Sequence, residues 1–395
     1  MTLPPPHLPR LVLDDAALRH NIATVAAFAE RTGTLLAPHI KTHLSGELTR
    51  RQLDAGAWGV TVATADQARW AVDFGAPRVL VANEVLEPSG LGYLAQLDEQ
   101  GVWAACLVDS VDGVEHLDQV LDRPLRVLVE LGAPGARCGA RTVTEAIAVA
   151  AAVRASRQLR LAGVEGYEGV VAGSGPDRLA RVDDFLRLLA GLATELDRAG
   201  AFAERPVLSA GGSAYLDRVA AILGEIELSQ APLVVLRPGA YVTHDHIAYQ
   251  ELSPFGDRVR DVASLRPAAE LWARVLSRPE PGLALLGAGK RECPYDLHLP
   301  MVLRAAGPGG ERRSIAGAVV TDMNDHHSYL AVPEDAELRP GDAVALGMSH
   351  PCTIFDKWDQ IPVLDGAGET VEVVHPLVTR AHRAGLLDQI ASTSR

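Results

Sequence analysis

The stretch LRVLVELGAPGARCGARTVTEAIAVAAAVRASRQLRLAGVEGY, residues 125–167, carries the pattern that decides the fold. It begins with an apolar run at 125–131, continues through a longer segment that contains another apolar run at 146–153, and returns to a short apolar run at 161–166. Short strand-like runs that alternate with helical segments are typical of parallel βαβ units. The stretch therefore predicts two parallel strands joined by a helix.

The same alternation continues on both sides of this stretch. Periodic helices such as 177–199 lie between most of the apolar runs, and turn residues such as Gly56 and Gly75 stand near helix ends. Counted together, the runs predict a (β/α)8 barrel, with an open doubly wound sheet as the alternative because a sequence does not show whether a sheet closes. The further strands are predicted at about 35–40, 58–63, 78–82, 103–108, 206–209 and 233–236.

The pattern changes at both ends of this region. Before it, a short run LVL at 11–13 precedes Asp14 and Asp15, which predict a helix cap, and a helix that Gly33 closes. After about residue 265, short strands with glycine and proline turns predict a mainly β domain. We therefore expect the barrel to span 15–264 and the mainly β domain to span 265–395.

Composition limits the classes of function. The 395 residues are 48% hydrophobic, which allows roughly two domains with large cores. The formal charge of 37 − 50 = −13 would repel phosphate backbones, so we expect no nucleic-acid partner. Four scattered cysteines without CxxC spacing suit a reducing cytoplasm, and no apolar run approaches a membrane span. We expect a soluble cytoplasmic protein.

The segment APHIKTH, residues 37–43, places Lys41 at the end of the first barrel strand. If the segment is extended, His39, Lys41 and His43 share one face, since side chains alternate along a strand. Active sites of barrels lie where the strands end, and a lysine there loses hydration, which lowers its pKa and frees the amine for a Schiff base. The alternative is a solvated surface lysine.

Three further motifs follow strands of the predicted barrel. The loop GARCG at 135–139 sets Arg137 between glycines, where it could supply a fixed cation to a phenolate or a carboxylate, or pair with a surface carboxylate. The loop SAGGS at 209–213 offers backbone amides that can bind a phosphate, although glycine pairs in loops are common. The segment LRPGAY at 236–241 offers another cation.

The mainly β region contributes a candidate metal pair. His350 and Cys352 stand two apart, so on an extended segment both could bind one divalent ion, zinc above all, and leave coordination positions open. The alternative is a partly buried histidine beside a core cysteine. A second cluster, His326 and His327, is more often a solvated turn than a site.

Taken together, these motifs resemble those of the fold-type III pyridoxal-phosphate enzymes, in the D-serine dehydratase and D-threonine aldolase branch related to alanine racemase. The resemblance depends on the ordered agreement of PHIKTH, GARCG, the glycine-rich loop, RPGAY and HPC, and spans nearly the whole chain. It implies a barrel plus a β domain, with residues 1–14 supplying a strand to the β domain. It also implies pyridoxal 5'-phosphate as cofactor and a head-to-tail homodimer.

The resemblance also assigns roles to single residues. Lys41 would hold the cofactor in a Schiff base, and Arg137 would face its phenolate oxygen. His350 and Cys352 match the metal pair of the dehydratases, whereas D-threonine aldolases have histidine followed by aspartate. The remaining implied cofactor contacts are Tyr167, Ser209, Gly211, Gly212, Ser213, Arg237 and Tyr241.

These roles predict a zinc-assisted dehydration and deamination of a β-hydroxy-D-amino acid, of the D-serine or 3-hydroxyaspartate type, to a 2-oxo acid and ammonia. Lys41 would remove the Cα proton while the metal coordinates the β-hydroxyl. A retro-aldol cleavage to glycine and an aldehyde is the alternative within the family. From other classes, a non-catalytic pyridoxal-phosphate carrier and a non-catalytic metal-binding protein remain open, whereas the metal pair argues against a racemase.

Overall fold

The computed structural model describes residues 7–377 of the protein. It begins with strand β1 (Arg10–Asp14) and helix α1 (Asp15–Arg31), where the Asp14 side chain accepts a hydrogen bond from the Ala17 N–H at 2.8 Å and caps the helix as predicted. Eight strands of the first sheet follow: β2 (Leu35–Leu36), β3 (Val60–Val62), β4 (Arg78–Glu84), β5 (Trp103–Val108), β6 (Leu125–Leu131), β7 (Leu159–Gly166), β8 (Val207–Ala210) and β9 (Leu233–Leu236).

Helices separate these strands, so that neighbouring strands run parallel. Within residues 7–377, no helix combines the length and the apolar composition needed to cross a lipid bilayer. The helices are α2 (Gly46–Asp54), α3 (Ala65–Asp73), α4 (Pro88–Gln96), α5 (Val111–Val120), α6 (Val143–Ala155), α7 (Gly175–Arg198), α8 (Leu216–Leu223) and α9 (Ala248–Leu252).

The parallel sheet curves into a near-closed barrel. Its strand order is β2-β9-β8-β7-β6-β5-β4-β3, and the two end strands approach each other through a bridge between His39 and Thr61. The Thr61 N–H donates to the Pro38 carbonyl at 2.9 Å across this seam. These contacts favour the barrel over the open doubly wound sheet. An apolar cluster that includes Leu80, Leu107 and Leu128 fills the interior.

A second, mainly β body packs against the barrel. Its main sheet has the order β13-β12-β16-β10-β1-β17-β18, so the strand that precedes the barrel lies among strands that follow it. The fold class predicted from the sequence is thereby confirmed. The strands of this body after the barrel are β10 (Ala269–Glu280), β11 (Leu283–Leu286), β12 (Met301–Ala306), β13 (Arg312–Arg313), β14 (Val319–Met323), β15 (Ser328–Ala331), β16 (Ala343–Gly347), β17 (Ile361–Leu364) and β18 (Thr370–Val374).

The first barrel strand departs from its predicted form. The predicted strand at 35–40 has ladder pairing at Leu35–Leu36, and hydrogen bonds toward the segment after β9 continue to the His39 N–H. Residues 40–42 then turn into a 3₁₀ helix. The extended interpretation of the segment through His43 is therefore wrong. Lys41 lies on a turn at the barrel rim instead of on the face of a strand.

Candidate active site

A cavity of about 320 Å³ lies at the carboxyl ends of the barrel strands, where the mainly β body meets the barrel. It brings together Lys41 from the barrel and His350 and Cys352 from the loop after β16. Chemistry in a barrel is expected at this end, since the loops there converge. The other predicted site residues that line the cavity are Arg137, Tyr167, Gly211, Gly212, Ser213 and Arg237.

Lys41 is the amine of this cavity. Burial lowers the pKa of Lys41, and the positive charges of Arg137 and Arg237 lower it further, while Cys352 acts in the opposite direction. His39 lines the same cavity, and burial holds its pKa well below the ordinary value. Both groups are thereby shifted toward their neutral forms, and a neutral amine is the form that can attack a carbonyl carbon.

His43 does not share the cavity with its two neighbours. Its side chain is fully buried behind the rim, where Nδ1 accepts from the Ser45 N–H and Nε2 contacts the Gln52 amide oxygen, each at 3.2 Å. The Gln52 amide in turn donates to the Tyr241 hydroxyl at 2.9 Å. Burial lowers the pKa of His43 to about 4. This histidine is therefore a neutral member of a buried hydrogen-bond network.

Arg137 reaches the cavity from the loop after β6. Its guanidinium lies 4.8 Å from the centre of the Tyr167 ring, a cation–π distance. The loop keeps its shape because the Arg141 guanidinium donates to the carbonyls of residues 136–139, among them Cys138 at 3.0 Å. Asp109 anchors the same loop by accepting from the Gly139 N–H at 2.9 Å.

The glycine-rich loop follows β8 and closes one end of the cavity. Gly211 has φ +108°, a conformation that favours glycine, and a Cβ on Gly212 would lie 3.1 Å from the Tyr167 ring. The Gly212 N–H donates to the buried Glu168 carboxyl at 3.1 Å. The Ser213 hydroxyl is buried and has no hydrogen-bond partner within the described residues, so it can bind a ligand atom.

A buried ion pair lies beneath the cavity. Arg237 pairs with Glu165, and the two side chains are 5% and 1% exposed. The neighbouring carboxyl of Glu130 stands opposite Glu165 in the strand register. Burial and the Glu165 and Glu84 carboxylates raise the pKa of Glu130 to about 10, so it carries a proton at neutral pH. Because Glu130 is neutral, Glu165 is the carboxylate that pairs with Arg237, and this pair fixes the direction of the Arg237 guanidinium.

The candidate metal pair faces the barrel side of the cavity. The Cys352 thiol lies 3.4 Å from the hydroxyl of Thr42, the residue that follows Lys41. His350 has Nδ1 against the Asp296 carboxylate. A hydrogen bond that the His350 ring donates to Cys352, with a further contribution from Asp296, outweighs burial and raises the pKa of His350 to about 9.

Two predicted cofactor contacts lie outside the cavity lining. The Ser209 hydroxyl donates to the Val235 carbonyl at 3.0 Å within the barrel wall. Tyr241 is 1% exposed and belongs to the network of His43 and Gln52. The geometry gives both side chains a structural role, and their predicted cofactor contacts are not supported by it. His326 and His327 lie in the exposed turn between β14 and β15, away from the cavity.

A second group of side chains that could bind a metal ion includes Cys138 of the Arg137 loop. Glu84, Asp109 and Cys138 each offer a ligand atom, and these atoms lie within 4.8 Å of one another. Burial and the adjacent carboxylates, Glu84 first, raise the pKa of Cys138 to about 11, so it is a neutral thiol.

Sequence reasoning missed several residues of the site. Glu130 and Glu165 stand at the ends of otherwise apolar strands, and a charged residue at that position is a signal that the strand pattern alone could have given. Tyr249 and Asp296 had no such signal, because they reach the site from a short helix and from a connecting segment.

Comparison with known proteins places the chain in a family. Residues 13–244 match the family model of the alanine racemase N-terminal domain, and residues 268–364 match that of a putative serine dehydratase domain. The first match covers more than half of the chain. The protein therefore belongs to the alanine racemase N-terminal domain family, and this family implies pyridoxal 5'-phosphate as cofactor.

Comparison with individual relatives narrows the class of enzyme. The chain is 26% identical to D-threonine aldolase of Arthrobacter sp. over 370 residues and 27% identical to 3-hydroxy-D-aspartate aldolase of Paracoccus denitrificans over 369 residues, with 92% of this chain and 90% of each relative covered. D-threonine aldolase from Filomicrobium marinum superposes with a TM-score of 0.79 at 26% identity over 96% of both chains.

A dehydratase has the same fold. D-threo-3-hydroxyaspartate dehydratase from Delftia sp. superposes with a TM-score of 0.73 at 22% identity, with 94% of this chain and 97% of that chain covered. A D-threo-3-hydroxyaspartate dehydratase with one cysteine replaced by alanine, solved in a metal-free form, superposes with a TM-score of 0.75 at 22% identity. Aldolases and dehydratases are both lyases, and this chain is a pyridoxal-phosphate-dependent lyase.

Proposed function

We propose that the protein dehydrates a β-hydroxy-D-amino acid, of the D-serine or 3-hydroxyaspartate type, to a 2-oxo acid and ammonia, with pyridoxal 5'-phosphate and zinc. The observation that carries the proposal is the meeting of Lys41 with His350 and Cys352 in one cavity. An amine with a lowered pKa and a pair of metal-binding side chains supply the two functions that removal of a proton and of a hydroxyl requires.

The cavity fits the cofactor on observations of its own residues. The Lys41 amine can hold an aldehyde carbon, and the unpartnered Ser213 hydroxyl with the glycine-rich loop can hold a phosphate. Arg137 would hold the phenolate oxygen. The Arg237 guanidinium, directed by Glu165, offers a fixed cation at the floor of the same cavity. When bound, the cofactor supplies a conjugated ring that accepts electron density from Cα.

The donor set of the metal pair favours zinc. A histidine nitrogen and a cysteine sulfur are ligands that a borderline divalent ion prefers, and two protein ligands leave positions for water or substrate. His350 and Cys352 would hold this ion, which supplies a Lewis acid for the substrate's β-hydroxyl oxygen.

Removal of the proton from Cα is assigned to a residue of this chain. The Lys41 amine takes the proton from Cα, and burial together with the positive charges of Arg137 and Arg237 lowers the pKa of this amine, which favours its proton-free form. The hydroxyl leaves Cβ as water, and hydrolysis of the resulting enamine consumes one water and releases ammonia. The net reaction converts the amino acid to a 2-oxo acid and ammonia.

Retro-aldol cleavage is the second candidate, and a specific observation favours it. The two curated relatives described above act as aldolases on D-threonine and on 3-hydroxy-D-aspartate, as their names state. In that reaction the Cα–Cβ bond breaks, and the products are glycine and an aldehyde. The resemblance assigns a histidine and an aspartate to the metal site of D-threonine aldolases, whereas this chain has cysteine at position 352.

Product analysis distinguishes these candidates. The purified holoenzyme is incubated with D-serine, D-threonine and D-threo-3-hydroxyaspartate, with the L-amino acids as controls. A 2-oxo acid and ammonia in equal amounts support the dehydratase, and glycine with an aldehyde supports the aldolase. Absence of any product, despite a visible absorption band of the bound cofactor, would indicate the non-catalytic carrier.

A further inference from the structure

His350 has an unusual backbone. Its φ of 61° and ψ of 75° lie in the left-handed region, which a side chain with a Cβ rarely adopts. Residues in such conformations persist when the surrounding structure fixes them, and they concentrate at functional sites. His350 lines the cavity and is half-buried, and contacts on both sides of the residue fix its conformation.

The backbone of His350 is held from the barrel side. Its N–H donates to the Asp245 carboxylate at 3.0 Å. Asp245 is 2% exposed, and its other oxygen accepts from the Tyr249 N–H at 2.8 Å at the start of α9. One buried carboxylate thereby joins the metal loop to the helix that presents Tyr249 to the same cavity.

The imidazole ring of His350 is held from the other side. Its Nδ1 contacts one oxygen of Asp296, and the second oxygen of Asp296 accepts from the Thr353 hydroxyl at 3.2 Å. The Thr353 hydroxyl also lies 3.2 Å from the His350 carbonyl. The ring therefore has its Nδ1 occupied by Asp296, which leaves Nε2 for the interaction with Cys352 or, in its place, for a metal ion. A histidine that binds a metal through one nitrogen commonly donates the other N–H to a carboxylate.

We propose that Asp296 is a positioning residue of the metal site, which acts through His350. It fixes the ring orientation and holds a proton on Nδ1, so that Nε2 is the nitrogen that gives up its proton to a metal ion, and its negative charge makes His350 a stronger ligand. This inference rests on the proposed function in one respect, since it takes His350 and Cys352 as the metal ligands. It adds a residue from the segment between β11 and β12, which none of the sequence motifs covers.

The test measures metal affinity in the holoenzyme, with Co²⁺ as the probe. The protein is first treated with a chelator, and Co²⁺ is then titrated while its visible d–d bands are recorded at wavelengths beyond the cofactor absorption. We expect Asp296→Ala to weaken Co²⁺ binding about 10- to 100-fold. Asp296→Asn keeps an oxygen that can accept from Nδ1, so its loss should be smaller. Asp325→Asn is the matched control, because Asp325 pairs with Arg291 at an exposed position of the same body.

The outcomes separate this inference from the proposed function. Unchanged Co²⁺ affinity in Asp296→Ala, with metal bound by the wild type, overturns the inference alone. Absence of Co²⁺ binding by the wild type overturns the metal part of the proposed function and the inference together. Weakened binding with an unchanged cofactor band and an unchanged unfolding temperature supports a positioning role, since a general structural defect would change all three.

Discussion

At the scale of single residues, burial decides which groups of the cavity carry a proton. Lys41 and His39 have their pKa values lowered, and Glu130 has its pKa raised to about 10, so all three shift toward neutral forms. The arginines keep their charge in the same surroundings because guanidinium groups do not lose a proton in proteins. The cavity therefore combines a reactive amine with fixed cations, which is the arrangement that an anionic aldehyde cofactor needs.

Borohydride reduction of the holoenzyme should label Lys41 with the cofactor. The chain has only three lysines, Lys41, Lys290 and Lys357, so peptide mass spectrometry can assign the label without ambiguity. Lys41→Ala should lose both the visible cofactor band and turnover. Lys290→Ala and Lys357→Ala are matched controls, because these side chains lie beside Tyr295 and outside the cavity. A label on either control lysine would contradict the assignment.

Uptake of the cofactor should become faster as the pH rises. A protonated amine cannot attack a carbonyl carbon, so the rate of binding to cofactor-free protein rises as the pH passes upward through the pKa of Lys41. Because burial and two arginines lower this pKa, half of the maximal rate should be reached at a lower pH than for an exposed lysine. Stopped-flow absorbance measures the rate, with a blocked lysine peptide as reference. A midpoint at or above that of the peptide would refute a desolvated amine.

At the scale of secondary structure, the site depends on where strands end. Glu130 and Glu165 lie opposite each other near the ends of β6 and β7, and Arg237 follows β9; the ion pair between Arg237 and Glu165 is almost wholly buried. Removing one partner of a buried pair leaves an uncompensated charge, which costs far more than removing one partner of an exposed pair. The contribution of this buried pair to the free energy of unfolding can therefore be compared with that of an exposed pair of glutamate and arginine.

Glu165→Gln should destabilise the cofactor-free protein by about 3 kcal/mol, because Arg237 would keep its charge without a counterion. The matched control is Glu195→Gln, which removes the partner of Arg198 in an exposed pair of α7 and should change stability by less than about 0.5 kcal/mol. Urea unfolding followed by circular dichroism gives both values. Equal effects of the two substitutions would show that the Glu165 pair contributes no more than a surface contact.

The strands also show how far the sequence could predict the structure. Apolar runs located the barrel strands because buried parallel strands need continuous hydrophobic side chains. The same reasoning failed at residues 37–43, where a 3₁₀ turn at 40–42 ends the extended segment and separates His43 from Lys41. The pairing of Glu165 with Arg237 could not be predicted, because it depends on the register between strands.

At the scale of the whole molecule, the residues of the proposed chemistry come from two bodies. The barrel supplies Lys41 and the loops that fit the cofactor, and the mainly β body supplies His350 and Cys352. The motifs predicted both groups of residues, but their convergence follows from the packing of the two bodies. It depends on contacts such as the one between Thr42 and Cys352, which are 310 positions apart. The spacing of hydrophobic residues within one segment cannot predict a contact between residues so far apart in the sequence.

This division predicts that metal and cofactor can be removed separately. A chelator should lower turnover by about 100-fold or more, since a Lewis acid at the leaving group contributes several kcal/mol. The visible cofactor band should remain, because none of the residues assigned to the cofactor is a metal ligand. Added Zn²⁺ should restore turnover in the wild type, whereas His350→Ala should behave like the chelated enzyme and resist rescue. Turnover that does not change on addition of the chelator would exclude the metal from the reaction. Loss of the cofactor band together with the metal would show that the two sites are coupled through the loop that carries His350 and Cys352.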